Sequence, residues 1–81
     1  MEEKYYLKIV EIIKEINPDI DTGDLTLDSE IKEIGFDSIM FISLIVAIES
    51  EYDFEFRDEF LDMNRMKTIK EIIKNLREHI E

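Results

Sequence analysis

The chain has 81 residues, with 21 acidic and ten basic side chains and a formal net charge of −11. A chain of this length is expected to form a single domain, 1–81, with one modest core and no deep catalytic cavity. The acidic balance argues against nucleic-acid binding, because phosphate backbones would repel such a surface. It argues in the same way against anionic membrane surfaces.

Cysteine is absent from the sequence. That absence excludes disulfides, thiolate metal sites and a cysteine nucleophile. The N-terminus lacks a basic region followed by an apolar run, so no signal peptide is predicted. No stretch reaches the roughly 18 apolar residues that a membrane span requires. We therefore expect a soluble, cytoplasmic monomer without membrane insertion.

The first predicted element is an amphipathic helix over about 2–16, where apolar residues recur every three to four positions. Asn17-Pro18 ends it, because a residue before proline is pushed out of the α region. A long structured loop, 19–37, follows, and its scattered apolar residues are expected to pack against the helices. Loops of this length in small domains usually have a function.

The second predicted helix, 38–52, is apolar on two faces. Asp37 is its predicted N-cap, because a carboxylate there can accept the free N–H groups of the first turn. At about 100° per residue, one face comprises Phe41, Leu44, Ile45, Ile48 and Tyr52, and the other comprises Ile39, Ile42 and Val46. One apolar face is enough to dock a helix on a core. The second face is therefore expected either to be buried as well or to contact a partner.

The last third of the chain is predicted to contain an extended connector, a short helix near 57–63 and a final helix. Phe54 and Phe56 alternate with acids as in a strand, but no second strand is predicted to pair with them. Thr68-Ile69-Lys70-Glu71 is a capping box that marks the start of the final helix. The predicted fold is all-α: a small four-helix bundle of three main helices plus one short helix, with a long loop between helices one and two.

The sequence offers no convincing catalytic set, so no enzyme and no catalytic residue is predicted. The only histidine, His79, lies near the end of the chain, where a Ser-His-Asp site is unfavourable, and we expect it to be solvated. Residues 19–30 resemble a calcium-binding loop with acids at positions one, three and twelve, but Gly23 stands one place before the required glycine. An acidic loop rich in turn formers is the simpler interpretation. No metal site is expected, although a degenerate calcium loop remains an alternative.

Ser38 is the candidate for covalent modification. Its hydroxyl is expected to be exposed at a helix N-terminus, where free N–H groups and the helix dipole favour a phosphate ester. The same position also suits a serine that merely begins a helix. A helical protein-interaction module without a covalent cofactor therefore remains open.

The run Gly35-Phe36-Asp37-Ser38-Ile39 resembles the Gly-x-Asp-Ser-Leu signature of the acyl carrier protein family, whose peptidyl carrier relatives often have Ile after the Ser. The similarity continues along the chain, through residues 44–54 and the Thr68-Ile69 pair. It implies that Ser38 receives 4′-phosphopantetheine from coenzyme A through a separate magnesium-dependent phosphopantetheinyl transferase, with Asp37 in support. It also implies acyl- or aminoacyl-loading enzymes, synthases and thioesterases as partners.

The sequence departs from fatty-acid-type carriers after the serine. Those carriers usually have acids just after the Ser and again three residues on, where this chain has Met40 and Ser43. The departure favours an apolar partner surface, with an acid further along, made of Ile39, Met40, Ile42, Val46 and Glu49. We therefore expect a carrier for a specialised pathway, of polyketide or nonribosomal-peptide type, somewhat ahead of housekeeping fatty-acid synthesis.

Overall fold

The computed structural model describes residues 2–81, and its main elements are three α-helices. Helix α1 spans Glu2–Ile16, α2 spans Ser38–Tyr52 and α3 spans Ile69–Ile80. Two 3₁₀ helices lie in the connections, at Thr22–Asp24 and Asp58–Phe60. The predicted all-α fold, with its three main helices and its long first loop, is confirmed. No helix within the described residues is long and apolar enough to cross a membrane.

The short helix predicted near 57–63 is present as one 3₁₀ turn, Asp58–Phe60, and is shorter than the predicted range. Asp62 explains why the helix does not continue. Its carboxylate oxygen accepts the amide of Asn64 at 2.8 Å, which offers the backbone a turn in place of helical hydrogen bonds. The 3₁₀ turn inside the long loop was not predicted, and Asp21 caps it by accepting the amide of Gly23 at 3.0 Å.

One hydrophobic core joins the three helices. Contacts of Lys8 with Glu51 and of Tyr5 with Tyr52 place the start of α1 beside the end of α2, so these two helices run antiparallel. The buried side chains are Ile9, Ile12, Ile13, Leu25, Ile31, Phe36, Phe41, Leu44, Ile45, Ile48, Phe56, Met66, Ile69, Ile72, Ile73 and Leu76. Each fully buried aliphatic side chain contributes about 1.5–3 kcal/mol relative to an exposed one.

The long loop packs on the core, as predicted, through the buried side chains of Leu25, Ile31 and Phe36. Backbone hydrogen bonds also tie it to the start of α3. The amide of Ile31 donates to the carbonyl of Lys67 at 2.8 Å, and the amide of Lys70 donates to the carbonyl of Leu27 at 2.8 Å. These bonds hold the segment that leads into α2.

The predicted start of the final helix is confirmed at Thr68. The Thr68 hydroxyl oxygen accepts the amide of Glu71 at 3.1 Å, and the Glu71 carboxylate in turn accepts the Thr68 hydroxyl at 3.4 Å. Thr68 also pairs with Glu30 in an isolated antiparallel bridge. Thr68 therefore both caps α3 and joins it to the long loop.

His79 is not the solvated side chain that was expected. Its ring is half-buried, with its centroid 5.8 Å from that of Phe54 and 5.0 Å from that of Phe56. Nδ1 lies 2.7 Å from the Asn75 carbonyl oxygen, which places a proton on Nδ1, and Nε2 accepts the amide of Arg57 at 3.4 Å. The histidine joins the end of α3 to the connector because Phe56 turns into the core beside it.

Candidate functional site

Ser38 is the first residue of α2, and its side chain is exposed. The predicted N-cap is confirmed, because the Asp37 carboxylate accepts the amide of Met40 at 2.8 Å. The Asp37 carbonyl accepts the amide of Phe41 at 2.9 Å, the first helical bond of α2. The amides of Ser38 and Ile39, which precede these two, have no partner within the helix. The helix end that carries the Ser38 hydroxyl therefore also has two free amides.

Buried aromatic residues hold the backbone on both sides of Ser38. Phe36 is 4% exposed and Phe41 is 1% exposed. Gly35 turns the chain toward α2 with a φ of +94°, a conformation that glycine adopts at little cost. The predicted motif included Gly35 and Phe36, but their mechanical role could be assigned only from the structure. The Ser38 side chain thus projects into solvent from a fixed backbone.

The other three serines lack this setting. The Ser29 hydroxyl oxygen accepts the amide of Thr26 at 2.8 Å, so it closes a turn. Ser43 and Ser50 are exposed but lie inside α2, away from its N-terminus. The Ser38 hydroxyl, in contrast, has no hydrogen-bond partner among residues 2–81. Ser38 is the serine that combines an available hydroxyl with a helix N-terminus.

The second apolar face of α2 is exposed rather than buried. Ile39 is 79% exposed, Ile42 is 39% exposed and Val46 is 53% exposed. We call these three residues the α2 apolar face. The eleven residues 38–48 include no charged side chain. The surface that continues from Ser38 along α2 is therefore uncharged and apolar.

Two other residues predicted for the partner surface have contacts inside the molecule. Met40 is half-buried and packs against the core. Glu49 is half-buried, and its carboxylate accepts the amide of Phe56 at 2.8 Å. Glu49 therefore has a structural function in holding the connector. A contact of either residue with a partner stays a prediction.

The calcium-loop alternative for residues 19–30 gains no support from the geometry. Asp21, one of the proposed ligands, is engaged with the amide of Gly23 in the cap of a 3₁₀ turn. In the part of the chain that the structure describes, no three acidic or histidine side chains converge as a metal site would require. The loop is instead a structured approach to α2.

Comparison with known proteins identifies the family. Residues 7–76 match the family model described as the phosphopantetheine attachment site, and the chain belongs to this family. Its relatives include the acyl carrier protein of Phytoplasma mali, with 35% identity over 77 residues, 94% of this chain and 88% of the relative. The acyl carrier protein of Clostridium perfringens is 33% identical over 73 residues, 85% of this chain and 93% of the relative. An acyl carrier protein homolog of Mycoplasma genitalium is 30% identical over 71 residues, 86% of this chain and 84% of the relative.

Family membership confirms the resemblance drawn from the sequence motif. The cofactor is a covalently attached 4′-phosphopantetheine, and the chain is a carrier rather than an enzyme. Synthases and modifying enzymes are the partners that membership implies. The exposed hydroxyl, the free amides and the helix dipole at the start of α2 fit a phosphate ester.

Proposed function

We propose that Ser38 carries the 4′-phosphopantetheine arm and that the chain acts as an acyl carrier protein. One observation carries the proposal: the Ser38 hydroxyl is exposed and unpartnered among the described residues, at the N-terminus of a helix fixed by Phe36 and Phe41. Ser38 also lies inside the range 7–76 that matches the family model. The relatives named acyl carrier protein support the same function.

Attachment makes Ser38 the nucleophile. The bond between Ser38 Oγ and a phosphorus of coenzyme A forms as the bond to the leaving nucleotide breaks, and the hydroxyl proton passes to a base on the transferase. The amides of Ser38 and Ile39 and the dipole of α2 stabilise the negative charge that remains on the phosphodiester. Asp37 acts by fixing the start of the helix, because its carboxylate is bound to the Met40 amide. The bound arm supplies a terminal thiol for thioesters.

The α2 apolar face is proposed as the surface that the transferase and the acyl-handling enzymes contact. Its nearest member, Ile39, follows Ser38 directly and is 79% exposed. Burying such side chains in a partner is favourable by roughly 25 cal/mol per Å² of apolar area. The first turn of α2 has no acidic residue to attract a basic partner. Contact along α2 is therefore dominated by apolar burial.

The choice of pathway rests on the residues after Ser38. Met40 and Ser43 stand where fatty-acid-type carriers usually have acids, which favours a specialised polyketide or nonribosomal-peptide type of pathway. The relatives are named only as acyl carrier proteins, and this gives the preference no support. The loading enzymes and thioesterases of such a pathway, a cytoplasmic location, a monomeric state and a single domain over 1–81 also stay predictions.

The test of the proposal is intact-mass spectrometry after incubation with coenzyme A, magnesium and a promiscuous phosphopantetheinyl transferase. The wild-type chain is expected to gain the mass of one phosphopantetheine, and Ser38→Ala is expected to gain none. Ser43→Ala is the matched control, because Ser43 is also exposed on α2. The same gain in mass on Ser38→Ala, or no gain on wild type, would overturn the proposal.

A further inference from the structure

Positive charge is concentrated in one segment of this acidic chain. Residues 63–77 contain five of the ten basic residues and one of the 21 acidic ones, a local charge of +4. The rest of the chain carries −15. The proposed carrier function does not require this asymmetry.

Three lysines of this segment, Lys67, Lys70 and Lys74, together with Lys32 of the long loop, make up what we call the basic face. All four side chains are exposed. Lys70 and Lys74 are four positions apart in α3, and the stripe of α3 that includes Ile69 and Ile73 is buried. Residues four apart on a helix share a face.

Lys32 and Lys67 approach each other across a cleft where the long loop meets the start of α3. The cleft has a volume of about 150 Å³, and its lining includes both lysines together with Glu30, Met63 and Asn64. The hydrogen bond of 2.8 Å from the Ile31 amide to the Lys67 carbonyl joins the long loop to the segment before α3. The lysines therefore stand on a rigid base, which lowers the entropy lost when a ligand binds.

The lysines of the basic face have acidic neighbours but form no ion pairs: Glu30 lines the cleft of Lys32 and Lys67, and Glu78 and Glu81 line a surface pocket with Lys74. Among the side chains that the structure describes, no carboxylate lies within 4.0 Å of the Nζ atoms of these four lysines. This holds even for Glu30, which lines the same cleft. Lys8, in contrast, approaches both Glu11 and Glu51. Four cations without ion pairs in so acidic a chain point to an anionic partner.

We propose that the basic face binds a carboxylate-rich segment of a partner protein. Lys70 and Lys74 are spaced by roughly 6 Å along α3, and Lys67 lies just before the N-cap of that helix, Thr68. This spacing is near the roughly 6.6 Å between alternate side chains of an extended peptide. An acidic residue at every second position would therefore place carboxylates along the row of lysines.

Other anionic partners fit the basic face less well. A surface that inserts in a membrane needs apolar side chains among its cations. The exposed large apolar side chains that the structure describes belong to residues outside 63–77: Leu7, Ile39, Ile42, Val46 and Leu61. Phosphate recognition favours the bidentate fork of arginine, whereas lysine acts as a point charge. Nucleic acid would also be repelled by the charge on the rest of the chain.

The proposal is tested by titrating the isotope-labelled protein at low salt with a short capped peptide in which Glu alternates with Ser. Amide shifts in the nuclear magnetic resonance spectrum are expected within 27–32 and 63–78, and they should weaken as salt is added. Lys70→Glu is expected to reduce affinity roughly five-fold. Its matched control is Lys4→Glu, which changes the net charge equally at another exposed lysine and should change affinity less than about two-fold.

The experiment separates the possible outcomes. If Lys70→Glu and Lys4→Glu lower the affinity for the peptide equally, binding depends only on net charge and the proposal is overturned. Shifts outside the two segments, no binding at millimolar peptide, or binding of anionic vesicles in preference to the peptide would also overturn it. If Lys70→Glu proves poorly folded, Lys74→Glu provides the same test from the next turn of the helix. None of these results depends on the arm at Ser38, so failure here leaves the proposed function intact.

Discussion

The backbone at Ser38 is held on both sides while its side chain is left in solvent. Phe36 and Phe41 are buried in the core, and Asp37 caps the helix that begins between them. This arrangement suits a serine that a second protein must reach. It also assigns Asp37 a mechanical function, because its carboxylate is bound to the amide of Met40.

Replacing the N-cap residue tests this function. Asp37→Ala is expected to lower the free energy of unfolding by about 1 kcal/mol, because the Met40 amide loses its side-chain acceptor. Asp37→Asn keeps an acceptor oxygen and should cost much less. Urea unfolding followed by circular dichroism measures both values. Equal stability of Asp37→Ala and wild type would show that the cap does not stabilise α2.

Asp53, the C-cap of α2, has a left-handed backbone with a φ of 55°. Glycine adopts this conformation at lower cost, and an acid at a helix C-terminus opposes the helix dipole. Asp53→Gly is therefore expected to raise the free energy of unfolding by about 0.5–1 kcal/mol. Asp53→Asn removes only the charge and separates the two effects. A lower melting temperature for Asp53→Gly would contradict this account of the helix end.

At the scale of elements, the helices could be predicted closely and their connections could not. The repeat of apolar residues, the Asn17-Pro18 stop and the caps at Asp37 and Thr68 are local signals, and they placed the helices well. The bond from Ile31 to Lys67 joins residues distant in sequence and depends on tertiary packing, so no local pattern indicates it. The position of His79 against Phe54 and Phe56 could not be predicted for the same reason.

The candidate site divides in the same way. Ser38 and its cap follow from the sequence, and the exposure of Ile39, Ile42 and Val46 shows that the second face of α2 is not buried, while its contact with a partner stays a prediction. Glu49 shows the limit of the wheel. It stands seven positions after Ile42, in line with the α2 apolar face, yet its carboxylate holds the connector through the Phe56 amide.

The connector between α2 and α3 should depend on the carboxylate of Glu49. Glu49→Ala leaves the partly buried amide of Phe56 without its acceptor and is expected to cost about 1–2 kcal/mol of stability. Glu49→Gln retains an acceptor and should cost less. The measurement is chemical unfolding of both variants beside wild type. A stable Glu49→Ala with slowed partner reactions would instead favour the predicted docking function.

The α2 apolar face should matter for partners and not for folding. Ile39→Ser is expected to change the free energy of unfolding by less than about 0.5 kcal/mol, because the side chain is already 79% exposed. It should slow loading by the transferase roughly five- to ten-fold through lost apolar contact. Leu7→Ser, at a 59% exposed residue of α1, is the control and should load at the wild-type rate. Equal loading rates for the two variants would show that the transferase does not depend on the α2 apolar face.

At the scale of the whole molecule, a hydrogen bond joins the first helix to the end of the chain. The Tyr5 hydroxyl donates to the Glu81 carboxylate at 2.5 Å. This bond lowers the pKa of Glu81 from its ordinary 4.5 and raises the pKa of Tyr5 from its ordinary 10.0. Because the pKa of Glu81 is lower in the folded protein, the bond stabilises the fold at pH values above the unfolded pKa of Glu81. This stabilisation is lost as the pH falls through the folded pKa. Because the pKa of Tyr5 is higher in the folded protein, the bond also stabilises the fold at pH values below the unfolded pKa of Tyr5. This stabilisation is lost as the pH rises through the folded pKa.

The difference in the free energy of unfolding between wild type and Tyr5→Phe should therefore be greatest at pH values between the ordinary pKa values of Glu81 and Tyr5. It should shrink at strongly acidic and strongly basic pH. Comparing the two proteins cancels the general repulsion within a chain of charge −11. Thermal unfolding across the pH range gives the difference, and repeating it with added salt checks that wild-type stability rises as repulsion is screened. A difference that stays constant with pH would rule out the contribution of this bond.

The attachment of the arm at Ser38 is tested most directly by fragmenting the loaded wild-type protein in the mass spectrometer. Fragment ions assign the added mass to a residue, and Ser38 must be distinguished from Ser43 and Ser50 in the same helix. The whole gain in mass is expected on Ser38, where the free hydroxyl lies at the N-terminus of α2. Phosphopantetheine found on either of the other serines, or on any other residue, would contradict it.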